Sequence, residues 1–179
     1  HTEYVLTPHV GEFSRLVNKS VFWIQDHLVE AAIDFAKTYK VVCVLKDFHT
    51  VSANPCGISL LNLSGNNGMA TGGSGDVLAG VIAALMVQGI KGIEASGFGV
   101  FIHGLAGDIA REQMGTHSIM ASDIIDALKD VWKGIIFNDA NENFRANYYS
   151  GIIDSVLMKE LVLKIKKDIK LFMPKMMAL

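Results

Sequence analysis

Residues 65–87 restrict the possible folds more than any other stretch of this chain. The segment opens GNNGMATGGSGD, crowding small residues into a turn, and runs on through 77–87, where no side chain is charged or polar. A helix that is apolar nearly all round has to lie inside the protein, so an interior helix with a glycine-built entrance is predicted. The first amides of a helix have no intrahelical acceptor and carry partial positive charge. Glycines at 72, 73 and 75 open that backbone to close approach, which makes an anion cradle. It is not a Walker A loop, because no Gly-Lys-Ser/Thr follows. Nor is it a dinucleotide GxGxxG fingerprint, because Leu78 stands at the last glycine position. Asp76 has two open roles, helix N-cap or general base for a hydroxyl lying beside a phosphoryl group in the cradle.

An interior helix needs a core around it. The chain has 179 residues, half of them hydrophobic, enough for one domain and too apolar for a disordered chain. Residues 4–6 read as a strand stopped by Pro8, with a short helix behind it at 11–17. Asp26 is the expected N-cap of a helix whose Leu28, Ala31, Ala32, Phe35 and Ala36 share one face. The run VVCVL at 41–45 reads as a strand covered on both faces, and 50–53 and 58–63 read as a hairpin turning at Asn54-Pro55-Cys56-Gly57. A further helix from Glu94 to Met114 carries Gly97, Gly99, Gly104 and Gly107, tolerable where two backbones approach closely. Ser122 and Asp123 offer the N-cap of a last helix at 124–132. The expected class is α/β with a mainly parallel sheet.

Charge and cysteine usage narrow the partners. Sixteen basic against eighteen acidic residues leave a net charge of −2, which disfavours nucleic acid. Cys43 and Cys56 form neither a CxxC pair nor a disulfide framework, so a reducing, cytoplasmic location is expected. No stretch has the length and apolarity of a membrane span, and HTEYVL is no signal peptide. From Gly134 the character shifts to the polar and aromatic FNDANENFRANYY and then a lysine-rich 158–173. Residues 134–179 are read as an appendage ending in an amphipathic helix, packed on a neighbour or, alternatively, lying on a membrane surface.

The segments LTPHVGEFSRL, VVCVLKDFHTVSANP, GNNGMATGGSGDVLAG and GVFIHGLAGDIA with SIMASDIIDAL closely resemble the NAD(P)H-hydrate dehydratase family. GSGD alone would indicate only the wider ribokinase-like superfamily. The resemblance implies a ribokinase-like three-layer sandwich over 1–133, with 134–179 unmatched. It implies an enzyme that removes water from hydrated NADH or NADPH at the expense of ADP or ATP, with Mg2+, and homo-oligomeric at full length. Carried over by position, Asp76 is the base and a hydrate contact, joined by His9, Asn67 and Gly68. Lys46, Asp47, Phe48, His49 and Thr50 correspond to the nucleotide-binding stretch, and Thr71, Gly72, Gly73, Ser74 and Gly75 to the phosphate cradle. Glu12 either helps place magnesium or favours its helix N-terminus by charge.

Three positions depart from the family pattern: Val10 and Asn67 stand where proline is usual, and Asp47 where glycine is usual. Asp47 adds negative charge beside the expected phosphate, which predicts weaker nucleotide binding. The resemblance also begins in the second half of the family's domain. The expectation is therefore a fragment truncated at the N-terminus, or a chain whose tail covers an open sheet edge. A small-molecule kinase of the same superfamily and a catalytically inert nucleotide-binding fragment remain as alternatives.

Overall fold

The computed structural model describes residues 3–137, with side chains to Lys133. The chain divides into two compact units, 1–127 and 128–179. The last helix runs on to Phe137, so the expected boundary at 134 falls inside it; the rest of the expected appendage, with its 158–173 helix, lies outside the described residues. In chain order the elements are β1 (Val5–Leu6), α1 (Val10–Val17), α2 (Val21–Asp26), α3 (Leu28–Tyr39), β2 (Val42–Leu45), β3 (Val51–Ala53) and β4 (Ser59–Leu61). A single 3-10 turn at Asn67–Met69 then leads to α4 (Ser74–Val87), α5 (Gly92–Met114) and α6 (Ala121–Phe137).

The strands form one sheet in the order β1-β2-β3-β4. β1 and β2 are parallel, with Val5 opposite Val42, whereas β2–β3 and β3–β4 are antiparallel, with Leu45 opposite Val51 and Val51 opposite Leu61. Among the described residues the sheet is thus less parallel than the sequence suggests. Connections 46–50 and 54–58 are too short for the crossover that parallel pairing demands. The second is the expected turn: Asn54 Oδ1 accepts from Cys56 N at 3.0 Å and Ile58 N at 2.9 Å, and Gly57 takes φ +87°.

Side-chain alternation gives the sheet two buried faces. Cys43, Leu45, Val51 and Ala53 pack with Phe13, Ala32 and Phe35 under α1–α3. The intervening Val42, Val44 and Ser52 are also buried, on the side where α5 meets β2 and β3. Helices, sheet and helices make three layers, the class the sequence indicates. Burial pushes the Cys43 thiol up to about 12, so it acts as a small hydrophobe.

Two helix starts differ from expectation. Asp26 ends α2, a helix capped by Ser20, whose Oγ accepts from Trp23 N at 3.1 Å. A break at His27 (φ −127°, ψ 34°) then separates α2 from α3. Before α6, Asp123 Oδ2 accepts from Met120 N at 2.8 Å, so its carboxylate reaches back to cap from inside the helix.

α4 departs most from its pattern. Leu78, Ile82 and Leu85 are buried, but Ala79, Gly80, Ala83 and Ala84 are exposed, and Val87 is 88% exposed. Its outer face is small and apolar, which is why no polar stripe marks it in the sequence. The inner face lies on α5, where a Cβ on Gly99 would meet Ile82 Cγ1 at 2.7 Å.

Candidate active site

The site is built where the parallel strands end. Backbone pairing of β1 and β2 continues past both strands: Lys46 N donates to Pro8 O at 2.9 Å, and Val10 N to Lys46 O at 3.1 Å. His9 and Lys46 are thereby held side by side beyond the carboxyl ends of the strands, the usual place for a ligand in an α/β sheet. A cavity of about 730 Å³ opens there.

His9 caps α1. Its Nδ1 accepts from Gly11 N at 3.1 Å and Glu12 N at 3.2 Å, while Glu12 Oε2 accepts from His9 N at 2.8 Å. With Nδ1 accepting, the ring proton of the neutral form belongs on Nε2, which lies 3.4 Å from Glu12 Oε1; His9 is among the residues that line the cavity. Of the two roles open to Glu12, the structure displays the helix-terminal one. Glu12 lies outside the cavity lining, and the His9 amide, above all, holds its carboxyl below the usual range.

The α4 entrance carries the cradle. Gly73 is the N-cap at φ +87°, a left-handed conformation suited to glycine, and no side chain caps this helix. Asp76 therefore does not serve as the cap. It is exposed in the first turn and is not among the cavity-lining residues, whereas Thr71, Ser74 and Gly75 are. Ser74 N and Asp76 N donate to Thr71 O and Gly73 O. The amides of Gly72, Gly73 and Gly75 have no intramolecular acceptor among the described residues. Gly72 and Gly73 themselves lie outside the lining.

Lys46 comes to this entrance from β2. A Cβ on Gly75 would fall 2.9 Å from Lys46 Nζ, so the ammonium lies against the helix N-terminus. It forms no ion pair among the described residues. The next residue, Asp47, also lines the cavity, but its carboxylate accepts from Gln25 Nε2 at 3.1 and 3.4 Å. Phe48, His49 and Thr50 complete this wall; Phe48 is 82% exposed and edge-on to His49, with centroids 4.6 Å apart.

The opposite wall is a loop strapped to α5. Ser64 Oγ donates to Phe101 O at 3.0 Å, Gly65 N to Asp108 Oδ2 at 3.0 Å, and Asn66 Nδ2 to Asp108 Oδ1 at 2.9 Å. Gly104 permits the close approach, since a Cβ there would come within 2.8 Å of the Ser64 carbonyl carbon. Asn67 reaches the cavity. Gly68 does not: it packs outward, where a Cβ would meet Thr116 O at 2.5 Å.

Sequence reasoning missed His103, which also lines the cavity. It is 7% exposed, and its Nε2 is buried without a hydrogen-bond partner. Burial chiefly, with the Lys46 charge adding to it, pushes the imidazole down to about 4 against an opposing backbone hydrogen bond to Ser74. The one available signal was a titratable side chain alone in the apolar stretch GFGVFIHGLA.

No three His, Cys, Asp or Glu side chains converge as a metal cage among the described residues. Magnesium commonly binds through one or two carboxylates plus substrate phosphates, and Glu12 is occupied by its cap. The described residues do not, by themselves, make a magnesium site.

A three-layer α/β sandwich with an amide cradle and, at its strand ends, an ammonium unpaired among the described residues has the form of a ribokinase-like fold. A ribokinase-like superfamily protein of Enterococcus faecalis superposes with a TM-score of 0.61 at 30% identity, covering 72% of this chain and 44% of that one. The pattern described as NAD(P)H-hydrate dehydratase matches residues 1–130, and the chain belongs to that family. It is 52% identical over 124 residues to the bifunctional NAD(P)H-hydrate repair enzyme of Thermofilum pendens, covering 69% of this chain and 24% of the relative. The ADP/ATP-dependent NAD(P)H-hydrate dehydratase of Bacillus subtilis, co-crystallised with ATP/Mg2+ and soaked with CoA, superposes with a TM-score of 0.70 at 34% identity, covering 73% of this chain and 48% of that one. The chain thus spans about a quarter of the bifunctional relative and about half of the solved enzyme.

Proposed function

We propose that this chain carries the nucleotide-facing part of an active site that dehydrates hydrated NADH or NADPH, with ADP or ATP as phosphoryl donor. The observation that supports this most is the Lys46 ammonium against the Gly75 end of α4, beside glycine amides without acceptors. A cation and oriented amides at a cavity wall suit a multiply charged phosphoryl group.

In this reading Lys46, Thr71, Ser74 and Gly75 hold the phosphates at the cavity wall, and Gly72 and Gly73, outside the lining, form the turn that presents them. Asp47, Phe48, His49 and Thr50 face the nucleoside, and His9 and Asn67 face the hydrated ring, while Gly68, outside the cavity lining, only lets its loop pack against Thr116. The ring hydroxyl oxygen forms a bond to the terminal phosphorus as the bridging P–O bond breaks, and Asp76 takes the hydroxyl proton. Phosphate then departs with the C–O electron pair, a ring proton is lost, and the dihydropyridine double bond returns. Magnesium, were it to accompany the nucleotide, would offset phosphate charge, and the described side chains do not cage it.

The position of Asp76 outside the cavity lining favours one second reading, a nucleotide-binding module without turnover. Incubation of the 179-residue chain with hydrated NADH, ADP and magnesium separates the two. The dehydratase reading expects recovery of the reduced-nicotinamide absorbance, lost in Asp76→Asn while ADP still binds. ADP binding without turnover in either chain supports the module, and a stable phosphorylated product would instead indicate kinase chemistry. Failure of ADP to bind at all overturns both nucleotide readings.

A further inference from the structure

We infer that Asp108 is a positioning residue of this cavity: through Gly65 and Asn66 it fixes the turn that holds Asn67 against the hydrated ring. The inference rests on the proposed dehydratase reading and gives a role to the HGLAGDIA segment of α5, which the phosphate cradle leaves unused.

Phe101, Gly104, Gly107 and Asp108 follow one another along α5 at the three- and four-residue spacing of a single helix face. All four meet the same loop. Phe101 O accepts from Ser64 Oγ at 3.0 Å, and a Cβ on Gly104 would come within 2.8 Å of the Ser64 carbonyl carbon. A Cβ on Gly107 would come within 2.6 Å of Met69 Cε. The two glycines let the loop down onto the helix, and the carboxylate fastens it. Asp108 itself lies outside the cavity lining, so it acts through what it holds.

Its two oxygens take two different donors, Gly65 N on Oδ2 at 3.0 Å and Asn66 Nδ2 on Oδ1 at 2.9 Å. The Asn66 amide is thereby oriented. Its Nδ2 also donates to Gly107 O at 3.0 Å, which uses both amide hydrogens, and its Oδ1 is left to accept from Gly68 N at 3.0 Å. That bond caps the 3-10 turn at Asn67–Met69. Asn67, the first residue of the turn, lines the cavity, and its side chain has no hydrogen-bond partner among the described residues. One amide is thus spent on the loop and the next is free for a ligand.

Only a carboxylate suits the position of Asp108. An amide there would set its own NH2 against the Gly65 N–H or the Asn66 NH2, and turning Asn66 over to meet it would aim NH2 at the Gly68 N–H. A charged acceptor also makes the stronger hydrogen bond, so the loop is held before a ligand arrives and less ordering is lost on binding.

The test applies calorimetry to the whole chain with two probes, inorganic pyrophosphate for the cradle and Lys46, and hydrated NADH for the wall that carries Asn67. Asp108→Asn is expected to weaken hydrated NADH about tenfold and to leave pyrophosphate unchanged. Asn67→Ala is expected to cost a similar factor. Asp108→Asn added to Asn67→Ala should then cost nothing further, because the clamp has no amide left to position. A merely structural role predicts losses that multiply in the double variant, or a loss of pyrophosphate binding in Asp108→Asn. Either result overturns the inference and leaves the dehydratase reading standing, as does unchanged affinity for hydrated NADH in Asp108→Asn. A wild type that binds pyrophosphate but not hydrated NADH overturns the substrate reading and the inference together. Should Asp108→Asn fail to fold, hydrogen exchange of the wild type decides: the Gly65 amide is expected to be protected before any ligand is added, and a freely exchanging Gly65 amide overturns the clamp.

Discussion

Lys46 and Gly75 form the contact on which nucleotide binding turns. Lys46→Ala removes a charge-assisted partner, and calorimetry with ADP is expected to show a loss of about ten- to a hundredfold. Gly75→Ala acts differently: its Cβ would fall 2.9 Å from the mobile end of the lysine, so the fold should persist while the ammonium is displaced and ADP weakened. Equal affinity in wild type and both variants would remove Lys46 from the site. Asp47→Gly is expected to strengthen ADP binding by removing a negative charge, although the Gln25 amide already engages that carboxylate. His103 supplies a pH signature. Its folded value of about 4 lies below the ordinary 6.5, so the unfolded chain takes the proton more readily between the two. Stability from this group is complete above pH 6.5 and falls as pH drops toward 4, by about 3 kcal/mol in all. Urea unfolding across that interval should show this loss in the wild type and not in His103→Phe. Lysine and glycines were legible as a cradle because their chemistry is local. His103 was not, because its importance comes from burial and a missing partner.

At the scale of elements, the loop strapped to α5 sets one cavity wall. Gly104→Ala would push a Cβ into the Ser64 backbone, where relief requires moving the chain and not only a side chain. A loss of about 1–3 kcal/mol in urea unfolding is expected, together with weaker ADP binding, since Asn62 and Ser64 line the same cavity. Helices α1, α3 and α6 could be read from the sequence because their apolar spacing is periodic, and β2 and α4 because their apolar runs are unbroken. The α2–α3 break could not, since it turns on one unusual backbone conformation at His27. Of the two roles the sequence leaves open for Asp76, the cap falls away for a related reason: aspartate is a good cap in general, but here a left-handed glycine already begins the helix.

At the scale of the whole molecule, a ligand that binds only the folded chain must stabilise it. Saturation with ADP at a hundred times its dissociation constant should add about 2.7 kcal/mol and raise Tm, an increment that Lys46→Ala should largely abolish at the same concentration. The α/β class, the order of most elements, the anion cradle and the family resemblance followed from the sequence by itself, because each depends on periodicity or on residues adjacent in the chain. Tertiary structure decided the rest. It brought Lys46 to the foot of α4, engaged Glu12 in the His9 cap, left Asp76 exposed, exposed half of an apolar helix, and isolated the Nε2 of His103. Those outcomes depend on which distant segment occupies the neighbouring space, and no local pattern of side chains encodes that.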